Sequence, residues 1–513
     1  MGKKRDERGK EKTGSDRECN LDNGYVSPIR TLGDLSAASI RDTIVHSRYI
    51  QILLSLTIIG FLLRFYHLGF NSLWLDEAST YTFASLSIPG IWEATTGGEF
   101  NPPLFYWTEH IMLVFGNSEF ILRFIPALLG VLTIPVFYLA GKEFADRNTG
   151  IIAAAAATFS PFLIIYSQEA RAYAMMLFFV GLAMFFCLRA LRTNDMKNWA
   201  LFGAFSALAF WSHFYAMVMV GSLVLYSLYE LLPKIQKDIR ALRPIVIGGV
   251  TFGLLCLPLI PVTLQLFAKR TAGGPTFGFQ GAVLIYETFR QILSSPFRFP
   301  GSDLVFFILF ILFVIGVIQA FRMDRNKGIF LVSITVLTFA ISFFLSYRIP
   351  MMPRYLIILS LVLFIGIGLS YKPVCSLIAN RNIVYGFVLL MLLVSLPFIA
   401  GYYSGYTKED WRGFAGQVTS LTKPGDLVVV APGYVYQPFD YYYSAAEDGT
   451  VEHHADNGKN LESIRLEKGN SSMYIIVTGD IQSANPEGDA VAWLEKNARL
   501  QGQNTGIYLF SVN

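Results

Sequence analysis

Asn101-Pro-Pro-Leu-Phe-Tyr-Trp-Thr-Glu-His-Ile-Met-Leu-Val-Phe115 is an apolar run that carries Glu109 and His110. Whether it crosses a membrane decides how the whole chain is laid out. A helix needs about 20 apolar residues to span a hydrocarbon core of about 30 Å, and this run is shorter than that. Eleven better runs lie near 49–66, 119–141, 149–166, 172–191, 198–212, 214–232, 244–267, 303–321, 328–346, 355–371 and 383–401. Cytoplasmic loops carry an excess of Lys and Arg, so charge arbitrates. If 101–116 does not cross, the loops 142–148, 189–197, 233–243, 322–327 and 372–382 share the side of the basic N-terminus, with fourteen Lys/Arg against five Asp/Glu. Loop 67–118 then lies outside, with no Lys or Arg and five acids in 52 residues. If 101–116 did cross, every later loop would invert. The pattern predicts a helix lying on the outer surface over 101–116, a cytoplasmic N-terminus and an external C-terminus.

Composition agrees with a membrane protein. The chain has 513 residues, 53% hydrophobic and only 15% charged, with 43 Phe and 26 Tyr, and its mean hydropathy is +0.46. Soluble domains carry roughly 25% charge, which excludes a water-soluble enzyme of several ordinary domains. The expected architecture is a polytopic α-helical membrane protein of about 11 transmembrane helices, followed by a small external α/β domain. Residues 1–48 hold ten Lys/Arg and eight Asp/Glu and no apolar core, so a disordered cytoplasmic tail is expected. The first apolar stretch begins near Tyr49, too late for a cleaved signal peptide. Residues 49–401 form the expected membrane domain. After residue 402 the balance turns to fourteen Asp/Glu against eight Lys/Arg. There, strand-like segments (Asp426–Ala431, Met473–Thr478, Gly506–Ser511) alternate with helical patterns (Trp411–Leu421, Ala490–Asn497), as expected of a domain over 402–513.

Several function classes find no support. No glycine-rich phosphate loop follows a strand, and nothing points to a nucleic-acid partner. Cys19, Cys187, Cys256 and Cys375 show no paired spacing, so neither a zinc site nor a disulfide framework is expected. No repeat is apparent, and the ionisable residues of the spans sit at their ends (Arg64, Arg123, Arg171, Glu230), where a pump would place them at mid-membrane. Asn470-Ser-Ser is a glycosylation sequon.

The external residues carry the candidate chemistry. In Leu73-Trp-Leu-Asp-Glu-Ala-Ser-Thr-Tyr81, Asp76 and Glu77 are adjacent carboxylates beside aromatic residues that favour headgroup depth. They are open to three readings: a general base, a pair of oxygen ligands for a divalent cation, or two acids of a solvated loop. In Ser160-Pro-Phe-Leu-Ile-Ile-Tyr-Ser-Gln-Glu-Ala-Arg-Ala-Tyr173, Arg171 is a cation where the charge rule disfavours one. It either grips an anion such as phosphate, pairs with Glu169, or snorkels to headgroups. Tyr166 belongs to the same stretch. Lys269, Arg270, Arg290, Arg298, Arg348 and Arg354 are further external cations, suited to an anionic lipid or to headgroups in general. His213, at an external span end, is a candidate for hydrogen bonding to substrate or for a structural role.

The ordered series Leu-Asp-Glu (75–77), Asn-Pro-Pro-Leu (101–104), Glu-Phe-Ile-Leu-Arg-Phe-Ile-Pro-Ala-Leu-Leu-Gly (119–130), Tyr-Ser-Gln-Glu-Ala-Arg-Ala-Tyr (166–173) and Pro-Arg-Tyr-Leu (353–356) resembles the family 39-like glycosyltransferases of the GT-C superfamily. That family includes dolichyl-phosphate-mannose protein mannosyltransferases and the aminoarabinose transferase of lipid A. The resemblance covers roughly 48–400 and implies a GT-C fold with surface helices in the first external loop. It also implies a bacterial or archaeal enzyme in the cytoplasmic membrane. Such an enzyme moves a hexose or pentose from a polyprenyl- or dolichyl-phosphate carrier to a protein, lipid or glycan acceptor on the outer face. Asn101 stands where relatives often have His. Tyr406-Thr-Lys-Glu-Asp-Trp-Arg-Gly413 looks similar to the junction that precedes an external domain in other members.

By the same resemblance, Asp76 is the expected base in an inverting displacement, and Glu77 orients the acceptor or Asp76. Arg171 and Arg354 are the first expected holders of the lipid phosphate, with Lys269, Arg270 and Arg123 behind them and Tyr166, Glu169 and His213 as further binding residues. A divalent metal could replace the arginines, but the abundance of external cations favours a metal-free site. The competing readings are a flippase or transporter of lipid-linked sugars, which needs charges lining a path through the spans, and a polymerase or ligase of surface polysaccharide.

Overall fold

The computed structural model describes residues 19–22, 25–28, 34, 36–99, 101–272, 274–275, 277–378, 380–405, 407–467, 469 and 471–512, with only the backbone described at 270–272. Among them, nine helices are long and apolar enough to cross a membrane, and a bent pair makes ten. The expected count was about 11, and the difference has a physical origin. The run at 149–166 is a pair of helices bent by 59°, and the run at 198–212 forms a 17-residue helix, about 26 Å long at 1.5 Å per residue. The run at 244–267 still supplies one span, Ile239–Cys256, and continues in a separate helix, Leu259–Ala272.

The polar N-terminal stretch differs from expectation where it is described. Helix α1 (Ala37–His46) begins at a capping box made by Ser36 and Ser39, which satisfies two orphan donors reciprocally. Cys19 and Cys375 are joined in a disulfide across 356 residues, a pairing that spacing alone did not suggest. Asp22 accepts hydrogen bonds from Ser47 and Arg147, so this segment is tied to the helical bundle and 36–48 is not a structureless tail.

Helix α2 (Arg48–Phe65) leads into three short helices, α3 (Leu75–Ala84), α4 (Ile88–Gly97) and α5 (Pro103–Met112). At ten residues, α5 is about 15 Å long and too short to cross, which agrees with the reading of 101–116. Its Glu109 is fully buried, neither carboxyl oxygen has a hydrogen-bond partner among the described residues, and burial pushes its carboxyl far above the usual 4.5.

The next elements are α6 (Glu119–Phe144), α7 (Arg147–Phe159) and α8 (Pro161–Ser167). The bend between α7 and α8 follows from Pro161, which has no N–H to offer the carbonyl of Ala157. Arg64 supplies the missing donor: its Nη2 donates to Ala157 O at 2.9 Å, while Nη1 reaches Thr158 O at 3.4 Å. An unpaired carbonyl is costly where no water is present, which accounts for a guanidinium only 1% exposed in this bundle. Helices α9 (Tyr173–Thr193), α10 (Met196–Ser212) and α11 (Arg243–Cys256) pack side by side. Close approach there depends on Gly203, where a Cβ would lie 2.1 Å from the carbonyl oxygen of Gly248, a small-residue crossing of the kind membrane helices use.

Beyond the last apolar helix, α12 (Asn382–Tyr403), comes α13 (Trp411–Leu421) and a five-stranded sheet of order β2-β1-β3-β5-β4. The strands are β1 (Leu427–Ala431), β2 (Val451–His454), β3 (Met473–Thr478), β4 (Arg499–Asn504) and β5 (Ile507–Val512). Strand β1 runs parallel to β2 and β3, and β5 is antiparallel to β3 and β4. The three expected strands are the central ones. The two unexpected ones, β2 and β4, are the polar edges, which carry no apolar run to betray them and whose polarity guards an open edge. Each face of the sheet has its own core. One gathers Val429 and Ile475 with Leu461 and Leu494; the other gathers Val428, Val430 and Ile476 with Trp411, Phe414 and Phe439. Leu75 of α3 packs on the second core, so the sheet unit sits against the start of the first loop. The sequon residue Asn470 lies outside the described residues.

Candidate active site

The site is organised by the first turn of α3. Neighbouring residues on a helix project about 100° apart, so Asp76 and Glu77 cannot share an environment. Glu77 turns inward and is 0% exposed, whereas the Asp76 side chain is 28% exposed and lines a cavity.

Glu77 is a structural hub. Its Oε1 accepts from Arg123 Nε at 2.7 Å and the Ala170 amide at 2.8 Å; its Oε2 accepts from Arg123 Nη2 at 2.7 Å and Lys408 Nζ at 3.1 Å. Burial opposes its charge, but Arg123 and Lys408 outweigh that and bring the carboxyl from 4.5 down to about 2. The remaining donors of Arg123 go to the carbonyls of Leu68, Asn71 and Ser72 at 2.8–3.0 Å. Arg123 therefore folds the loop that carries Asp76, and its donors all point to the protein. The forked planar guanidinium explains the residue type, since the three donors of a lysine could not serve three carbonyl groups and both carboxylate oxygens at once.

The segment after α8 closes the other side. Gln168 Nε2 donates to the carbonyls of Arg64 and Tyr66 at 3.0 and 2.8 Å, fixing the turn that carries Arg171. Arg171 Nη1 donates to Asp76 O at 3.1 Å and Thr80 Oγ1 at 3.3 Å, and Arg171 lines the same cavity as Asp76. Burial disfavours its charge, but Asp76 leads a set of neighbours that keep it well above the ordinary arginine value. Arg354 is not among the cavity-lining residues, although its chain neighbour Tyr355 is. Arg354 Nη2 lies 3.5 Å from Asp76 Oδ2, its guanidinium lies over the rings of Trp74 and Tyr355, and its Nε has no hydrogen-bond partner among the described residues.

The cavity has a volume of about 470 Å³; Asp76, Ser79, Glu99, Asn101 and Arg171 contribute polar groups, while Phe210, Met217, Leu266 and Leu345 are among its apolar walls. Glu99 Oε1 accepts from Asn101 Nδ2 at 2.9 Å and from the Tyr106 hydroxyl at 2.7 Å. His213 also lines it, with Nδ1 accepting from the Tyr215 amide at 3.3 Å. A carboxylate and a guanidinium at one end of a mainly apolar chamber can hold an anionic head with a greasy tail and accept a proton beside it.

The residues expected from sequence divide clearly. Asp76, Arg171 and His213 line the cavity, and Arg354 contacts Asp76. Glu77 and Arg123 are spent on each other. Glu169 is buried and paired with Lys408 Nζ at 3.2 Å; burial raises its carboxyl despite Lys408. Tyr166 is buried with its ring edge to face on Tyr173. Lys269 is exposed on the helix Leu259–Ala272 and does not line the cavity; the Arg270 side chain lies outside the described residues. Sequence reading missed Glu99, Ser79 and Lys408. Asn101 stood out only as a departure from the usual His. No group of three or more His, Cys, Asp or Glu suited to a metal occurs among the described residues.

Residues 101–261 match the family of dolichyl-phosphate-mannose-protein mannosyltransferases. An uncharacterised protein from Aquifex aeolicus (strain VF5) is 30% identical over 132 residues, which is 24% of this chain and 26% of that one; the match spans about a quarter of that relative's length. Among solved structures, ArnT from Cupriavidus metallidurans in the apo state superposes with a TM-score of 0.59 at 12% identity, over 93% of this chain and 98% of the other. Its undecaprenyl phosphate-bound form gives 0.58 at 13% identity, over 90% and 98%. The archaeal oligosaccharyltransferase AglB from Archaeoglobus fulgidus, in complex with an inhibitory peptide and a dolichol-phosphate, gives 0.52 at 14% identity, over 92% of this chain and 75% of that one.

Proposed function

This chain has the fold of the GT-C glycosyltransferases, and we propose that it transfers a sugar from a polyprenyl- or dolichyl-phosphate carrier to an acceptor at the outer face of the membrane. The observation that carries this reading is the cavity where Asp76 and Arg171 meet apolar walls. Two structures of the same fold, those of ArnT and AglB, hold undecaprenyl phosphate and a dolichol-phosphate, which supports a lipid phosphate as the donor. In the proposed step Asp76 takes the proton from the acceptor nucleophile as it attacks the anomeric carbon. The bond from that carbon to the phosphate oxygen breaks, its electron pair leaves with the lipid phosphate, and the configuration inverts. Charge growing on the phosphate is met by Arg171, with Arg354 behind it, as preorganised donors. Glu77 acts through position alone, by clamping the start of α3. The charge asymmetry of the loops supports a cytoplasmic N-terminus with the cavity and the sheet unit outside.

Binding of undecaprenyl phosphate, with undecaprenol as control, tests the donor site. A charge-assisted hydrogen bond contributes about 1.5–3 kcal/mol, so Arg171→Met is expected to weaken phosphate binding roughly 10- to 100-fold while leaving any undecaprenol binding unchanged. Equal binding of phosphate and alcohol by the wild-type protein would remove the phosphate from the cavity.

A further inference from the structure

We propose that Lys408, from the segment joining α12 to the sheet unit, is a positioning residue of the transfer site that holds Trp74 and Glu169 so that Arg354 is presented to the lipid phosphate. This rests on the donor reading above.

Lys408 reaches the site because its own segment is fastened to the first loop. The Thr407 amide donates to Asn71 Oδ1 at 3.0 Å, Ser72 Oγ donates to Asp410 Oδ1 at 3.1 Å, and the Arg412 amide donates to Ser72 Oγ at 3.1 Å. Arg412 also pairs with Glu119, at the start of α6. These attachments fall on 71–72, the stretch whose carbonyls Arg123 gathers. The Lys408 side chain is therefore delivered in a fixed place, 12% exposed, with Nζ 3.1 Å from Glu77 Oε2 and 3.2 Å from Glu169 Oε1.

A lysine that merely neutralised Glu77 would be redundant, because Arg123 already grips that carboxylate with two donors. What Lys408 adds lies on its other sides. Glu169, whose second oxygen has no hydrogen-bond partner among the described residues, is held by Lys408. The Trp74 ring has two cations against it, Lys408 Nζ at 5.5 Å and Arg354 Cζ at 5.2 Å. Attraction of cations to an indole face is directional, so the ring relays the position of one cation to the other. Removal of Lys408 frees Trp74 and Glu169, and Arg354 loses the surface that aligns it with Asp76.

The test uses the full 513-residue chain and undecaprenyl phosphate as probe, with monodispersity and melting temperature followed in parallel. Lys408→Met is expected to weaken binding about tenfold or more, a displacement effect of the size misplaced groups produce, and Lys408→Arg to restore it. Because the effect passes through Arg354, Lys408→Met added to Arg354→Met should cost little more than Arg354→Met alone, as coupled sites do. If Lys408→Met does not fold, Lys408→Met/Glu169→Gln, which removes both buried charges together, should fold and show the same loss. Wild-type binding by the folded variant, failure of Arg to rescue, or a full additive loss on the Arg354→Met background would overturn the positioning role. Failure of the wild-type protein to bind the probe at all would instead overturn the donor reading.

Discussion

Asp76→Asn is expected to lower sugar transfer roughly 10²- to 10⁴-fold, the contribution of a general base, with undecaprenyl phosphate binding and melting temperature close to wild type. The substitution is nearly isosteric and leaves the amide side chain in the cavity. The Asp76 carboxylate is not needed for folding, since it is 28% exposed and its one ion-pair contact among the described residues, to Arg354, is a loose 3.5 Å. The backbone contacts of residue 76 persist, because Arg171 bonds to its carbonyl oxygen. Loss of fold in Asp76→Asn, or undiminished turnover, would show that the carboxylate does other work. The same change at the next position should behave in the opposite way. Glu77→Gln disrupts a four-donor hub, so its first effect is on folding and its effect on turnover follows from that.

Arg123→Met is expected to destabilise the protein by about 3–5 kcal/mol, the range for stranding one partner of a buried ion pair. It leaves Glu77 with Lys408 and one amide, and it frees the carbonyls of Leu68, Asn71 and Ser72 together. Thermal unfolding in detergent checks this, and Arg123→Lys should recover little, because one ammonium cannot reproduce the fork. The pH dependence has a definite sign. The Glu77 carboxyl is lowered on folding from 4.5 to about 2. Its stabilising contribution is therefore complete above about pH 4.5 and is lost as the pH falls toward 2. In Arg123→Met less of that depression remains, so the acid-side loss should be smaller and should end at a higher pH than in the wild type. A melting temperature equal to wild type would show that the loop is held by other contacts.

Much of the architecture was legible in the chain because membrane helices and buried strands advertise themselves by unbroken apolar runs. The strand-like segments read at Asp426–Ala431, Met473–Thr478 and Gly506–Ser511 fall within a residue of β1, β3 and β5. The edges β2 and β4 are half solvent-facing and composed of residues such as Glu452, Arg499 and Gln503, so no hydrophobic signal marks them. Pro161 was visible, but the need for Arg64 to answer Ala157 is a tertiary fact. In the site, the types and order of Asp76, Glu77, Arg171 and Arg354 were readable and the family resemblance gave each an expected role, whereas the bonds that hold Glu77 in place were not readable. Two adjacent carboxylates look alike in sequence, and only the helix phase of α3 sends one to Arg123 and the other to the cavity. Lys408 was out of reach for a different reason: its partner Glu77 lies 331 positions away, and nothing local in Tyr406–Gly413 announces that contact.

Transfer from a lipid phosphate is tested most directly by incubating the purified full chain with polyprenyl-phosphate sugars and candidate acceptors, then measuring both the polyprenyl phosphate set free and the anomeric configuration of the product. The expected result is release matched mole for mole by a product of inverted configuration, slowed roughly 10²- to 10⁴-fold in Asp76→Asn. Absence of release from every polyprenyl-phosphate sugar tried, or a product that retains configuration, would contradict a single displacement with Asp76 as base.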